Sequence, residues 1–111
     1  MDCIFCKIAT GTIPSKKIAE TERAFAFHDV NPVAPQHALV IPKEHFTNIS
    51  EINDASLMGE LFTLGKDVAK DLGLEKDGFR LVVNTGTNGG QSVFHLHVHV
   101  IGGRKLAWPP G

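Results

Sequence analysis

His95-Leu96-His97-Val98-His99-Val100-Ile101 alternates histidine with apolar residues. A period of two is typical of a β-strand, because successive side chains of a strand point to opposite faces of its sheet. The apolar residues therefore predict a buried face, and the three histidines are expected to share the opposite face. Burial of the apolar face explains why this segment forms a strand, but it does not explain three ionisable rings side by side.

Three interpretations of this histidine cluster are open. The first is a solvated face that happens to carry histidines. The second is a metal site, since histidines at i and i+2 of a strand can share a zinc ion. The third is a centre for acid–base or nucleophilic chemistry on an anion. Residues 86–90, just upstream, contain three glycines, and glycines let backbone amides approach an anion closely. Taken alone this loop is more typical of a plain hairpin turn. Beside the histidines it predicts a phosphate cradle next to a nucleophile.

The rest of the chain predicts an α+β fold. A long helix is expected over residues 55–72, where leucines and a valine recur at helical spacing, with Asn53 or Asp54 capping its start and Gly73 its end. A short helix is predicted over residues 3–9, and strands over residues 17–19, 23–28, 37–41, 79–85 and 95–101. One main helix provides too few crossovers for a parallel sheet. A five-stranded antiparallel sheet with one main helix is therefore expected.

Length and composition narrow the class of protein. A chain of 111 residues predicts one domain, residues 1–111. Eleven Lys and Arg against twelve Asp and Glu give a net charge of −1, which argues against binding to a nucleic-acid polymer. No apolar run reaches the length of about 18 residues that a membrane span needs, and the N-terminus does not have the pattern of a signal peptide. A cytoplasmic protein with reduced or metal-bound cysteines is expected.

The histidine segment resembles the His-x-His-x-His-x-x signature of the histidine triad superfamily, in which x is apolar. Further segments resemble its Hint branch, the histidine triad nucleotide-binding proteins. They are Phe27-His28-Asp29-Val30-Asn31-Pro32, Ala34-Pro35-Gln36-His37, Val40-Ile41-Pro42-Lys43, Gly89-Gly90-Gln91-Ser92, and a tail running from Gly102-Gly103-Arg104 to Trp108-Pro109-Pro110-Gly111. The resemblance covers nearly the whole chain, and the tail favours the Hint branch over the dinucleoside-polyphosphate hydrolases.

The resemblance implies a hydrolase of purine nucleoside 5′-phosphoramidates and related nucleoside monophosphate esters. His97 would attack the α-phosphorus, and water would then release nucleoside monophosphate from a nucleotidyl-histidine intermediate. His99 would hydrogen-bond to the α-phosphate or the leaving group, and His37 would orient the triad or relay protons. A neighbouring histidine is expected to stay cationic and to stabilise the phosphoryl charge. The expected catalytic residues are His37, Ser92, His97 and His99.

The resemblance also implies a set of nucleotide-binding residues. They are Phe27, Asp29, Val30, Asn84, Gly90, Gln91, Ser92, His97 and His99. Asp29 would accept hydrogen bonds from the ribose hydroxyls, while Phe27 and Val30 would line the base slot. Gln91 and Ser92 would contact the phosphate and the leaving atom. The residues themselves leave simpler roles open, because Asp29 can cap a turn, Phe27 is more typical of a core, and Ser92 can be a turn hydroxyl.

Cys3-Ile4-Phe5-Cys6 is a C-x-x-C motif. A thioredoxin-like motif would follow a strand within a βαβ unit, and none is predicted. Two cysteines need two further ligands to form a zinc site. Many triad proteins combine such cysteines with a histidine in Pro-x-x-His and the first triad histidine, which implies zinc bound by Cys3, Cys6, His45 and His95. The alternative is two free reduced thiols.

A zinc ion with four protein ligands is expected to be structural. A closed four-ligand site leaves no position for water, so this metal would not be the catalyst. Two competing functions remain: a zinc hydrolase that uses His95, His97 and His99, and a nucleotide- or zinc-binding interaction module with little turnover.

A homodimer is expected, because a small sheet with one helix leaves its edges uncovered. The Hint resemblance implies that the two sheets join across the dimer and that each tail reaches toward the partner's site. Trp108 is the one tryptophan of the chain, and a large apolar ring is expected to dock. The alternative is a tail folded back on its own chain.

Overall fold

A computed structural model of the protein describes residues 2–111. Its helices are α1 (Ile4–Ala9), α2 (Ala55–Asp71) and α3 (Gly86–Gly89), its strands are β1 (Lys17–Glu20), β2 (Ala24–His28), β3 (Gln36–Pro42), β4 (Phe79–Val82) and β5 (Val98–Gly102), and one 3-10 turn covers Ile49–Glu51. Within these residues the strands form one sheet in the order β1-β2-β3-β5-β4, and every pair is antiparallel. The expected five-stranded antiparallel sheet with one main helix is confirmed.

Helix α2 forms where the apolar stripe predicts it. The Asp54 carboxylate caps its start and accepts the Leu57 N–H at 3.1 Å. Gly73 follows its last turn with a φ of 77°, a left-handed conformation that glycine adopts without steric cost. The stripe packs on one face of the sheet, where Leu57, Leu61 and Val68 are at most 1% exposed.

The sheet separates two apolar clusters. On the α2 side the core contains Val40, Val98 and Val100. On the other side Phe5 and Ile8 of α1 pack with Phe25, Phe27, Leu39 and Ile41. The expected alternation along the histidine segment is therefore found, since its apolar residues face α2 and its histidines face the α1 side.

Strand β5 begins at Val98, three residues later than predicted. Val98 lies opposite Val40, and two residues further along β3 the ladder would reach Pro42, which has no N–H to donate. The Leu96 N–H instead donates to the Phe46 carbonyl at 2.7 Å. His95, at the end of a bend, and His97 thus lie in the unpaired segment that leads into β5.

Two further boundaries differ from the sequence prediction. Strand β4 ends at Val82 rather than at residue 85. The glycine-rich segment forms the short helix α3 instead of a plain hairpin turn, and Gly90 ends it with a φ of 79°. The connection between β4 and β5 therefore contains one turn of helix rather than irregular chain alone.

The C-terminal tail contacts the sheet of its own chain. The Arg80 guanidinium donates to the Ala107 carbonyl at 2.9 Å and lies 6.0 Å from the Trp108 ring. Trp108 is nevertheless 81% exposed. None of the helices within residues 2–111 has the length and apolar character needed to cross a membrane.

Candidate active site and metal centre

His97 has a defined tautomer. Its Nδ1 lies 2.7 Å from the His95 carbonyl oxygen, and because a carbonyl only accepts, Nδ1 carries the hydrogen. The neutral ring therefore keeps its lone pair on Nε2. The His97 ring is 5% exposed and meets the Phe5 ring edge to face, with centroids 5.2 Å apart. The geometry gives His97 a fixed orientation and a nucleophilic nitrogen.

A chain of hydrogen bonds sets the protons on two further histidines. The Val33 N–H donates to His37 Nδ1 at 3.1 Å, so the neutral His37 ring carries its hydrogen on Nε2. That nitrogen lies 2.9 Å from His99 Nδ1, which must then accept and leave the His99 hydrogen on Nε2. His99 Nε2 is buried and has no partner among the described residues. It is a donor without an acceptor, as expected where an anionic ligand binds.

Asp29 takes the turn-capping role that the sequence left open, and its second carboxylate oxygen lies near His37. Its Oδ1 accepts the Asn31 N–H at 2.8 Å, as a turn-capping carboxylate does. Its Oδ2 lies 3.4 Å from His37 Nε2. Asp29, His37 and His99 converge closely enough for a metal ion. The bond from Val33 keeps the hydrogen on His37 Nε2, so His37 offers that metal no lone pair and only Asp29 and His99 Nδ1 could bind it.

The neighbours of His97 are neutral at pH 7, contrary to the expectation of a cationic neighbour. Burial, followed by the proximity of His97 and His37, lowers the pKa of His99 to about 4, against a smaller opposing effect of Asp29. Burial also lowers the pKa of His37, with Asp29 again opposing. Burial likewise lowers the pKa of His95. In the free protein these rings act as hydrogen-bonding groups rather than as charges.

The glycine-rich segment is fixed by the side chain of Gln91. Its Oε1 accepts the Gly86 N–H at 3.0 Å, and its Nε2 donates to the carbonyls of Thr47 and Val93 at 2.6 and 3.1 Å. The Gln91 backbone N–H donates to the Gly86 carbonyl. All N–H donors of Gln91 are thus engaged. Its phosphate contact stays a prediction and requires one of these bonds to exchange.

An open cleft of about 730 Å³ lies beside His37. Its walls come from Pro14, Ser15, Lys16, His28, Asp29, Val30, Pro32, Pro35, Gln36 and His37. Val30 is 89% exposed, whereas Phe27 is 3% exposed and packs against Phe5. The wall formed by residues 14–16 was not predicted from the sequence. The signal available for it was Pro14, three residues before the first strand.

The remaining expected nucleotide-binding residues lie around other pockets. Asn84 lines a pocket together with Gly89 and residues of the tail. Ser92 is exposed and lines a pocket of about 470 Å³ beside Cys3 and His45. Gly90 ends α3 between them.

Cys3, Cys6, His45 and His95, the zinc ligands that the resemblance implies, lie close enough together to hold a metal ion. His95 Nδ1 lies 3.2 Å from Cys3 Sγ, 3.5 Å from Cys6 Sγ and 3.2 Å from His45 Nδ1. Ligands of a tetrahedral zinc ion lie roughly 3.3–3.8 Å apart, given the usual Zn–N and Zn–S lengths. His95 Nε2 donates to the Pro42 carbonyl at 2.9 Å, which leaves the Nδ1 lone pair for a metal. Two sulfurs and two nitrogens in this arrangement fit zinc.

This arrangement also separates the three triad histidines. His95 belongs to the cysteine cluster, whereas His99 belongs to the group with Asp29 and His37. The structure therefore does not bring His95, His97 and His99 together as one metal site.

Known proteins match this chain over most of its length. Residues 10–106 match the family described as the HIT domain. The chain is 48% identical over 112 residues to a HIT-like protein of Synechocystis sp., with 99% of this chain and 97% of that protein covered. It is 46% identical to a Zea mays protein named 14 kDa zinc-binding protein, with 97% of this chain and 87% of that protein covered. A HIT family hydrolase from Legionella pneumophila superposes with a TM-score of 0.95 at 44% identity, with 99% of this chain and 100% of that chain covered.

Proposed function

This chain belongs to the HIT domain family, and from that premise we propose that it is a Hint-type nucleotide hydrolase. Its substrates are purine nucleoside 5′-phosphoramidates and related nucleoside monophosphate esters. The reaction passes through a covalent nucleotidyl-His97 intermediate, and residues 1–111 act as one HIT domain. A solved relative named a hydrolase supports the reaction class.

The orientation of His97 carries this proposal. The hydrogen bond from Nδ1 to the His95 carbonyl, 2.7 Å long, leaves Nε2 unprotonated, which is the state that a histidine nucleophile requires. In the first step Nε2 forms a bond to the α-phosphorus, and the bond from phosphorus to the leaving amine or alkoxide breaks. In the second step water attacks the same phosphorus, and the His97 ring is the leaving group.

His99 is the donor in this mechanism. Its Nε2–H is buried without a partner among residues 2–111, so a phosphate oxygen or the leaving atom completes its hydrogen bonding. In the free protein His37 fixes the tautomer of His99 through its own Nε2–H. A bound phosphate favours uptake of a proton from solvent by His99 Nδ1, since an opposite charge favours the charged form, and the His37 Nε2–H then bonds to Asp29 Oδ2 instead. His99 delivers its Nε2 proton to the departing amine, a contribution of roughly 10²–10⁴-fold for a positioned acid, and Nε2 regains a proton from the water that attacks in the second step.

The cleft beside His37 is the proposed nucleoside site. Asp29 Oδ2 faces the cleft side of His37 and accepts hydrogen bonds from the ribose hydroxyls. The exposed Val30 side chain lines the base slot together with Phe27, which is buried against Phe5. Asn84, Gly90, Gln91 and Ser92 shape the phosphate loop, with Gln91 acting through its bonds to Gly86 and Thr47.

Zinc bound by Cys3, Cys6, His45 and His95 stabilises the fold in this proposal. It attaches α1 and the loop after β3 to the segment that leads into β5. The metal makes and breaks no bond in the hydrolysis, because a site with four protein ligands leaves no position for water. A homodimer with joined sheets, in which each tail reaches the partner's site, completes the assembly that we propose.

A nucleotide- or zinc-binding interaction module is the second candidate, because one relative is named a zinc-binding protein. Brief mixing with a nucleoside phosphoramidate followed by intact-protein mass spectrometry separates the candidates. The proposed enzyme gains the mass of one nucleoside monophosphate. Retention of nucleotide with no adduct and no turnover would support the binding module instead.

Chelation tests the zinc-hydrolase alternative in the same experiment. A zinc hydrolase loses all turnover when the metal is removed, and it forms no adduct in either state. The proposed enzyme still forms the His97 adduct after chelation.

A further inference from the structure

His95 is one of the candidate metal ligands, and it also hydrogen-bonds to His97, the proposed nucleophile. Its ring contributes Nδ1 to the cluster of Cys3, Cys6 and His45, while its carbonyl oxygen accepts the His97 Nδ1–H. The residue is fully buried, at 0% exposed. A single residue thus connects the metal ligands to the ring that attacks phosphorus.

The peptide group between His95 and Leu96 is fixed from several directions. Its oxygen binds His97, and its N–H donates to the Phe46 carbonyl at 2.7 Å. Phe46 directly follows the metal ligand His45. The His95 ring is also bound at both nitrogens, by the metal cluster through Nδ1 and by the Pro42 carbonyl through Nε2. The direction of the carbonyl therefore depends on the segments that the metal ligands hold together.

Phe5 provides a second contact between the two sites. It precedes Cys6 on α1, and its ring meets the rings of both His95 and His97 edge to face, with centroid distances of 5.9 and 5.2 Å. Movement of α1 away from the cluster removes this support from the nucleophile.

We propose that His95 is a positioning residue through which the occupied metal centre holds the His97 tautomer and ring orientation for attack. The inference rests on the proposed nucleotidyl-transfer role of His97. It gives the zinc site a role in positioning His97 in addition to its structural role. Misplacement of a reacting group by about 1 Å can cost roughly a hundredfold in rate. Loss of this support therefore slows adduct formation and leaves nucleotide affinity nearly unchanged.

Two variants test the coupling with ¹⁵N NMR of the His97 ring nitrogens as the readout. Cys3→Asp replaces the sulfur ligand by a carboxylate oxygen and keeps a good helix cap, and its weaker metal binding allows mild stripping and reloading with zinc. His95→Cys keeps a four-ligand zinc site but removes the ring from the segment next to His97. Stripped Cys3→Asp and zinc-loaded His95→Cys are expected to show mixed His97 tautomers, and reloading Cys3→Asp restores the Nδ1–H form.

Single-turnover kinetics provide the second readout. The rate constant for adduct formation is expected to fall about tenfold or more in both perturbed states, with the nucleotide Kd within about threefold of wild type. Leu57→Ala is the control, since Leu57 lies in the core on the other face of the sheet. It lowers the melting temperature and is expected to leave the tautomer and the rate unchanged.

Retention of the Nδ1–H tautomer and the wild-type rate in folded, stripped Cys3→Asp or in His95→Cys would overturn the proposal. A similar loss in Leu57→Ala would also overturn it, because general destabilisation would then explain the effect. If wild-type protein forms no adduct, the proposed function fails, and the NMR tautomers alone decide whether His95 couples the two sites.

Discussion

Main-chain groups fix the protons on the site histidines. The Val33 N–H fixes the tautomer of the His37 ring. The Pro42 carbonyl fixes the tautomer of the His95 ring, and the His95 carbonyl fixes that of the His97 ring. His99 then takes its tautomer from His37. Each ring therefore has one defined donor and one defined acceptor, and the chemistry assigned to it follows from which nitrogen lacks the hydrogen.

His97→Ala is expected to abolish adduct formation and turnover but to keep nucleotide binding. The substitution removes the attacking Nε2, while Asp29 and the cleft beside His37 remain. Single-turnover hydrolysis and nucleotide affinity are measured on the same preparation. Activity within about tenfold of wild type would remove His97 from the nucleophile role.

His99 is expected to make stability fall at acid pH. Its pKa is about 4 in the folded protein and near 6.5 as a free side chain. Between these values the unfolded state binds more protons, so its contribution is complete above pH 6.5 and is lost as the pH falls toward 4. Urea denaturation of wild type and His99→Gln across this range is the measurement. Metal loss affects both proteins alike, and parallel curves would contradict the assignment.

The residue types at the site could be predicted from the sequence, but their proton positions could not. The triad alternation and the Asp29 turn are local patterns. The bond from Val33 to His37 and the burial that neutralises His99 depend on how distant segments pack. For that reason the sequence did not predict that burial keeps the neighbours of His97 neutral in the free protein.

At the scale of elements, α2 was predicted well and β5 less well. The apolar stripe and the caps of α2 are contained in its own sequence. The start of β5 depends on its partner strand, because the ladder ends where Pro42 has no N–H to donate. The alternation of histidine and apolar residues continues through His95 and His97, although neither residue is paired in the sheet. The pattern alone therefore predicted a strand that begins three residues too early.

Asp54→Ala is expected to lower the melting temperature by a few degrees, since a capping carboxylate satisfies a free N–H at the helix start. Asp54 binds the Leu57 N–H, the Ser56 hydroxyl and the Arg23 guanidinium. These contacts hold the pKa of Asp54 at about 2, and the bond from the Leu57 N–H has the largest effect. Its contribution is therefore present above about pH 4 and is lost as the pH falls toward 2.

The matched control for Asp54 is Asp67→Ala on the same helix. Asp67 is exposed, and Lys66 is 3.9 Å from its carboxylate. Thermal unfolding of the two variants at pH 7 gives the comparison. Equal melting temperatures would contradict the capping role.

Zinc is expected to bind at one ion per chain through Cys3, Cys6, His45 and His95. Metal binding to a folded site is coupled to folding, so its removal is expected to lower the melting temperature by about 10 °C or more. Metal analysis after refolding with excess zinc, with Cys3→Ser/Cys6→Ser as the control, checks the site. Metal that persists in the double variant, or turnover that falls while the melting temperature stays the same, would contradict it.

At the scale of the whole molecule, the sheet ends in β1 on one edge and β4 on the other. An uncovered edge presents unpaired backbone groups, and Phe79 on β4 is 36% exposed. The tail touches its own Arg80, yet Trp108 remains exposed. These features favour a second copy of the chain as the surface that the tail contacts.

Deletion of residues 106–111 is expected to leave a homodimer intact and to change which leaving groups are accepted. The reason is that the sheets, rather than the tails, join the two copies in the proposed assembly. Sedimentation at micromolar concentration and a panel of phosphoramidates with different amines are the measurements. A stable wild-type monomer would refute the dimer, and an unchanged substrate profile would refute the role of the tail.

The contact between Cys3 and His95 joins residues that are 92 positions apart. Contacts of such long sequence separation form late in folding, because much of the intervening chain must first be ordered. The hairpins of β1 with β2 and of β2 with β3 need only local chain, whereas the metal ligands meet after β5 has inserted between β3 and β4. We therefore expect the local hairpins to form before the cluster of metal ligands, and a growing chain acquires all four ligands only when synthesis has passed His95.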